Sequence, residues 1–369
     1  MEDLVGQNLF NGVYNGKRVL VTGHTGFKGS WLVHWLCQMG ATVCGYSTEA
    51  PSEPAHIDLL KLKCESHIGD IRDISKLQSV VNNFKPEIVF HLAAQALVRL
   101  SYAEPIETFD TNIIGSLQVY EACRKSQTVK SIVTITTDKV YQNNEWTWGY
   151  REIDRLGGKD PYSASKAAME IVTQSYIHSY FNKNDFGKSH DMLVATARAG
   201  NVIGGGDWAL DRLIPDIIKA SNDNRSVEIR SPHSTRPWQH VLEPLSGYLL
   251  LGQKLLERDS ESASEFNFGP NISEDLSVKE VVEFLKTKWS KITYEIKEPK
   301  IKLHEARLLK LDCTKAFTEL NWTPVLTAKD ALTLTIDWYK AYYSETSINT
   351  KSDLETYIKK AKELGLVWA

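Results

Sequence analysis

Two short runs in this chain hold side chains able to move a proton. One is Thr136-Thr137-Asp138-Lys139-Val140-Tyr141; the other is Tyr162-Ser163-Ala164-Ser165-Lys166. Tyr162 and Lys166 lie four apart, so on a helix they share a face. A phenol titrates near ~10 in water. A cation beside it favours the phenolate and lowers that value, which makes a base able to take a proton from a hydroxyl. Asp138 and Lys139 add a carboxyl and an amine next to it. Each feature alone has a plainer meaning. Tyr-x-x-x-Lys is usually a solvated helix face, and Asp-Lys after a strand is usually a turn with a surface ion pair. Their weight comes from occurring together, downstream of a glycine fingerprint.

The elements that must position these groups can be read from the neighbouring residues. Ser131-Ile132-Val133-Thr134-Ile135-Thr136 is β-branched and apolar, a buried strand. Thr137, Asp138 and Lys139 then fall at its carboxyl end, where open α/β sheets place ligands. Asp160-Pro161 opens the next helix, with Asp as cap and Pro in the first turn. Far upstream, the strand Arg18–Thr22 runs into Gly23-His24-Thr25-Gly26-Phe27-Lys28-Gly29 and then an amphipathic helix. This is the context of a dinucleotide fingerprint. Gly23 allows the tight turn, Gly26 lets a pyrophosphate approach, and Gly29 lets the helix pack on the sheet. Phosphates would rest on the helix N-terminus.

The strand Thr42–Tyr46 should end at the cofactor ribose, where a carboxylate would select NAD. It ends in Tyr46-Ser47, and Glu49 comes late, so this segment leaves NAD against NADP open. The strand Ser66–Asp70 brings Asp70 and Ile71 toward the adenine. Ile88–Ala94 is a fourth strand whose small residues suit a flat cofactor, with His91 read as a satisfied core histidine. A helical region over 105–126 carries Asn112 and Gly115, and the strand Met192–Arg198 leads to Asn201. Gly204-Gly205-Gly206 opens no helix and reads as a flexible substrate loop. Residues 1–16 read as a loose leader.

With 369 residues, 42% of them hydrophobic and 24% charged, the chain can bury a large core and is not disordered. Net charge is −3 without a basic block, which disfavours nucleic-acid binding. The N-terminus lacks a signal-peptide pattern and no window reaches transmembrane length, so a cytoplasmic protein off the membrane is expected. The five cysteines are scattered and form no Cys-x-x-Cys pair; they read as reduced thiols, and no metal set is expected. After residue 200 the regular βα alternation gives way to mixed pieces. The expected architecture is therefore a doubly wound parallel α/β sheet of Rossmann type over residues 1–200, with 238–268 returning to it. A smaller mixed α/β substrate domain is expected over 201–237 and 269–369.

Thr22-Gly23-x-x-Gly26-x-x-Gly29, His91-Leu92-Ala93-Ala94, Thr137-Asp138 and Tyr162-x-x-x-Lys166 resemble the extended short-chain dehydrogenase/reductase superfamily over about residues 17–339. Thr137-Asp138-Lys139-Val140-Tyr141 resembles its nucleotide-sugar 4,6-dehydratases. Gly206-Asp207-Trp208 and Arg236-Pro237-Trp238-Gln239-His240 are similar to the branch acting on CDP-glucose. The resemblance implies NAD as cofactor, held by Gly23, Gly26, Phe27, Gly29, Asp70, Ile71, Ala93, Ala94, Asn112, Tyr162 and Lys166. It implies a nucleotide-sugar substrate touched by Asn201, Arg212 and Arg236, and a homo-oligomer, dimer or tetramer. It also implies the chemistry. Tyr162 takes the 4-hydroxyl proton, with Lys166 lowering its pKa and Thr137 bonding the same oxygen, while NAD takes the hydride from carbon 4. A base then removes the carbon-5 proton, Asp138 protonates the leaving 6-hydroxyl, and the hydride returns to carbon 6. Other dehydratases have Glu where this chain has Lys139, an amine that must be neutral to act as that base. The competing reading is a nucleotide-sugar 4-epimerase, which needs no acid to expel water; a regulator without turnover would lose Asp138 or the Tyr-Lys pair.

Overall fold

The computed structural model describes residues 6–270, 276–297 and 308–369. The first half alternates as expected: β1 (Arg18–Thr22), α1 (Phe27–Gln38), β2 (Thr42–Ser47), α2 (His56–Leu60), β3 (Glu65–Ile68), α3 (Ile74–Phe84) and β4 (Ile88–His91). Then come α4 (Val98–Ala103), α5 (Pro105–Phe109), a π turn (Asp110–Gly115), α6 (Ser116–Arg124), β5 (Ser131–Ile135), α7 (Pro161–Tyr180) and β6 (Leu193–Ala199). The second half runs β7 (Val202–Ile203), α8 (Leu213–Asn222), β8 (Val227–Ile229), β9 (Thr235–Arg236), β10 (Gln239–His240), α9 (Leu242–Leu256) and β11 (Glu265–Phe268). It closes with β12 (Leu276–Ser277), α10 (Val278–Lys288), β13 (Tyr294–Ile296), α11 (Thr314–Leu320), α12 (Ala328–Glu345) and α13 (Thr350–Glu363).

Seven strands form one sheet in the order β11-β6-β5-β4-β1-β2-β3. All its pairings are parallel. This is a doubly wound Rossmann-type sheet whose strand order reverses between β1 and β4, and the crevice at such a switch point is where ligands bind. Parallel strands covered on both faces should be apolar throughout; β4, β5 and β6 are buried at every position. β11, from the later part of the chain, extends the sheet beside β6. The remaining strands pair two by two: β7 with β10, β8 with β13 and β9 with β12.

Several local expectations need correction. The described part of the leader is not loose: Leu9, Phe10 and Tyr14 are buried. Phe10 stacks on Trp368 at 5.3 Å, and its N–H donates to the Trp368 carbonyl at 2.8 Å, so the two ends of the chain pack together. The glycine run 204–206 is not a flexible loop either. A Cβ on Gly205 would overlap the Trp338 ring and one on Gly206 the His56 ring. Trp31 also donates its indole N–H to the Gly205 carbonyl at 2.9 Å. The glycines are there because two aromatic rings lie against the backbone. The helical region 105–126 is interrupted by the π turn that carries Asn112, a local widening that aims one side chain inward.

Candidate active site

The site lies where β1, β4, β5 and β6 end. At the end of β1, Gly23 takes φ +76°, and a Cβ there would lie 2.7 Å from the Ala93 nitrogen just beyond β4. Only glycine fits this approach of two strand ends. Gly26 caps α1 in an extended conformation, and a Cβ on it would meet nothing nearer than the Gly23 carbonyl at 3.4 Å. Open space therefore faces the first turn of α1, whose leading N–H groups have no partner within the helix. A Cβ on Gly29 would run into the Gly23 carbonyl, so this glycine seats the helix on the turn. The glycine arrangement fits a dinucleotide pyrophosphate. At the ribose end no carboxylate appears on β2: Ser47 is hydrogen-bonded to Thr25 at 2.8 Å, and Glu49 is exposed. His24 lies over Gly45 with its Nε2 2.7 Å from Ser66 Oγ, and burial lowers it to about 4, so it is neutral. Asp70 accepts from Arg72 Nη2 at 2.6 Å, and that bond holds its carboxyl below the ordinary value; Ile71 beside it is buried. Ala93 donates its N–H to Thr22 Oγ1 at 3.3 Å.

Asn112 is fully engaged. It accepts from the Gln95 N–H at 2.8 Å and donates to the Gln95 carbonyl and to Ser165 Oγ at 3.1 and 2.8 Å. Its visible work is to pin the loop after β4 to α7. His91 is a satisfied core histidine, bonded to Thr22 and Ser116 at 2.8 and 2.9 Å and pushed by burial to about 3.

β5 runs into a 3-10 turn at Asp138–Val140, and Asp160 caps α7 by accepting from the Ser163 N–H at 2.9 Å. These two pieces bring the proton-moving groups together. Thr137 Oγ1 donates to Asp138 Oδ1 at 2.9 Å, and Lys139 Nζ approaches the same oxygen at 3.2 Å and Asn201 Oδ1 at 3.4 Å. The Asp138 side chain is 4% exposed, whereas Lys139 is 29% exposed and faces the cleft. Burial raises the Tyr162 phenol; the Lys139 charge, its hydrogen bond with Thr137 and the Arg212 charge all pull it back. Lys139, from the turn opposite α7, thus acts on the phenol alongside its helix neighbour Lys166. Lys166 Nζ donates to the Ile135 carbonyl at 3.1 Å, and burial lowers it to about 8 against the opposing charge of Glu170.

Arg212 precedes α8 and donates to Asp207 at 2.7 Å. It lies close enough to influence both Tyr162 and Lys28. Arg236 sits on β9, paired with Leu276; its side chain lies outside the described residues. Sequence reasoning passed over Lys28. Burial, Arg212, Lys166 and Lys139 push its amine down to about 7, with Asp138 pulling the other way. A charged residue inside the glycine fingerprint was the available signal. The site thus gathers a phenol, a carboxyl and several cations at one cleft, a set suited to an anionic substrate bearing hydroxyls. Cys44, Glu65 and His67 also bring potential metal-ligand atoms within 4.8 Å of one another, at the outer edge of the sheet. There His67 is already bonded to Glu65 at 2.6 Å.

The family described as GDP-mannose 4,6 dehydratase matches residues 20–335. The chain is 46% identical over 349 residues to a CDP-glucose 4,6-dehydratase of Salmonella typhimurium, covering 94% of this chain and 97% of that protein. It is 24% identical to a UDP-glucose 4-epimerase of Mycoplasma pneumoniae over 89% of this chain and 98% of that one. Among solved structures, a dTDP-glucose 4,6-dehydratase of Bacillus anthracis in complex with NAD shares the fold at TM-score 0.72 and 23% identity, covering 88% of this chain and 97% of that one. A UDP-glucose 4-epimerase of Thermotoga maritima does so at 0.75 and 24%, covering 88% and 98%. With the Rossmann-type sheet, the glycine turn and the strand-end cluster all within the matched span, the chain belongs to the GDP-mannose 4,6-dehydratase family.

Proposed function

We propose that this chain is a CDP-D-glucose 4,6-dehydratase, a hydro-lyase that converts CDP-glucose to CDP-4-keto-6-deoxy-D-glucose. It oxidises carbon 4, loses water across carbons 5 and 6 and returns the hydride to carbon 6. The observation that carries the reading is the Thr137-Asp138-Lys139 cluster beside Tyr162, in a chain 46% identical to a protein of that name. An oxidation alone needs the phenol; a carboxyl and an amine on the same strand end serve an elimination.

NAD, when bound on the glycine turn, supplies the hydride acceptor that later becomes the donor. The residues do the rest. Tyr162 takes the 4-hydroxyl proton, with Thr137 hydrogen-bonding the same sugar oxygen and Lys166, Lys139 and Arg212 favouring the phenolate. Once carbon 4 is a ketone, the carbon-5 proton is acidic, and Lys139 in its neutral form removes it. Asp138 gives a proton to the departing 6-hydroxyl, and water leaves. Asn201 holds the Lys139 amine from the far side at 3.4 Å. Asn112 fixes the loop carrying Ala93 and Ala94, and we assign Arg212 and Arg236 to the substrate phosphates. Residues 1–200 with 238–268 form the cofactor-binding domain, and 201–237 with 269–369 the substrate domain. Among the described residues no helix is long and apolar enough to cross a membrane. We assign the enzyme to the cytoplasm as a homo-oligomer that supplies deoxysugar precursors for surface polysaccharide such as O-antigen. The test is to incubate the protein and NAD with each nucleotide-glucose and weigh the products. Loss of water from CDP-glucose in preference to the UDP, dTDP and GDP sugars is expected; an isomer of unchanged mass would instead establish epimerisation.

A further inference from the structure

We propose that the buried Glu170–Arg198 ion pair is the positioning device of this catalytic centre, fixing the Thr137-Asp138 strand end against the Tyr162–Lys166 helix and supplying the counter-charge of Lys166. The inference rests on the reading above that these residues carry out the oxidation. Glu170 sits on α7 one turn beyond Lys166, and Arg198 is on β6; both side chains are 0% exposed. Arg198 Nε and Nη2 donate to the two carboxylate oxygens at 2.9 and 3.0 Å, the fork geometry that fixes orientation as well as charge. Glu170 also accepts from Thr136 Oγ1, the residue just before Thr137, and from Thr196 Oγ1 at 3.1 Å. One carboxylate therefore ties α7, the end of β5 and β6 together. Arg198 extends the tie: its Nη1 donates to the Tyr141 hydroxyl at 2.8 Å and to the Glu152 carbonyl at 3.0 Å. Tyr141 in turn donates to Asn267 on β11 at 2.8 Å. The Thr137-Asp138-Lys139 turn is thus bracketed on both sides, by Thr136 and by Tyr141.

A buried ion pair is a poor way to gain stability, because desolvation offsets the attraction, and it is best explained by a role other than stability. The charge environment of Lys166 supplies that role. Lys28 on α1 and Lys166 repel each other, and His91 on β4, which Lys166 also influences, is neutral. Glu170 is the anion that favours the charged form of Lys166 against burial. Neutralising Glu170 would remove that anion and leave Arg198 an uncompensated buried cation, so Lys166 would lose its proton at lower pH.

The experiment compares native protein with Glu170→Gln, Glu170→Asp and Thr136→Val. It measures cofactor reduction in single turnover with CDP-glucose across pH. Glu170→Gln should slow oxidation by about 10- to 100-fold, the scale of a small misplacement, and move the alkaline fall of the rate to lower pH. The KM for CDP-glucose should change less than kcat. Glu170→Asp keeps the charge and should leave that fall in place, at a reduced rate. Thr136→Val removes one tie and no charge, so it should slow oxidation without moving the profile. If Glu170→Gln does not fold, the other two variants decide: a native rate in Thr136→Val, or a displaced profile in Glu170→Asp, overturns the proposal. An unmoved profile in folded Glu170→Gln overturns it as well. Inactive native protein overturns the functional reading instead, so the two failures are distinguishable.

Discussion

Asp138→Asn should separate oxidation from elimination. The Asp138 side chain is 4% exposed and shares one oxygen between Thr137 Oγ1 at 2.9 Å and Lys139 Nζ at 3.2 Å. Asn has the same shape, and its carbonyl oxygen can accept both bonds, so the turn at 138–140 should survive. Lys139 is 29% exposed and keeps Asn201 at 3.4 Å, so water and Asn201 limit the cost of losing its anionic partner. What Asn cannot do is give up a carboxyl proton to the leaving hydroxyl. Loss of a positioned general acid costs on the order of 100-fold or more, which is about 2.7 kcal/mol at roughly 1.36 kcal/mol per tenfold. Tyr162, Thr137 and Lys166 are untouched, so oxidation at carbon 4 should proceed. The assay is absorbance of the reduced cofactor after mixing with CDP-glucose, followed by mass analysis of the quenched sugar. The reduced cofactor should build up in the variant while the dehydrated product appears slowly. Dehydration at the native rate would remove Asp138 from the acid role.

Further outcomes follow from the same geometry. Lys139→Met should abolish exchange of the carbon-5 proton with deuterated solvent, and Lys139→Glu should restore it; exchange at the native rate in Lys139→Met excludes Lys139 as the base. Gly23→Ala places a Cβ 2.7 Å from the Ala93 nitrogen at φ +76°. It should lower the melting temperature, by more than about 1 kcal/mol of stability, and weaken cofactor binding in titration calorimetry; unchanged values would refute the close-approach argument. Asp353 on α13 is raised by burial, and by Asp337, from an ordinary 3.8 to about 8. The folded state therefore holds a proton that the unfolded chain has released, and this group's contribution to stability falls as pH rises from about 4 to about 8. Asp353→Asn should consequently gain stability over native protein at pH 8 relative to pH 5 in thermal melts, and an equal difference at both values would refute it.

Much of the fold and many of the site residues could be read from the chain because they depend on local rules. β5 is apolar and β-branched, Asp160-Pro161 opens α7, and Gly23-x-x-Gly26-x-x-Gly29 follows a strand and leads a helix. These patterns brought Thr137, Asp138, Lys139 and Tyr162 to one place. Their mutual electrostatics were not legible. Spacing puts Lys166 on the Tyr162 face of α7, yet its amine turns to the Ile135 carbonyl, and Lys139 from the opposing turn also acts on the phenol. That choice depends on the depth of packing between α7 and β5, which no local pattern encodes. Gly205 and Gly206 misled for a related reason: glycines that make room for Trp338 and His56 look the same in sequence as glycines in a mobile loop. Phe10 stacking on Trp368 joins residues from opposite ends of the chain, beyond the reach of any periodicity.

The central claim is a redox-neutral dehydration in which one hydride leaves carbon 4 and returns to carbon 6 of the same sugar. It is tested most directly by giving the native protein CDP-glucose carrying deuterium on carbon 4, in ordinary water, and locating the label in the product. The account requires deuterium in the methyl group at carbon 6 of a 4-keto sugar, with no reduced cofactor accumulating in step with product. Deuterium retained on carbon 4 of an epimerised sugar, or stoichiometric release of reduced cofactor, would contradict it.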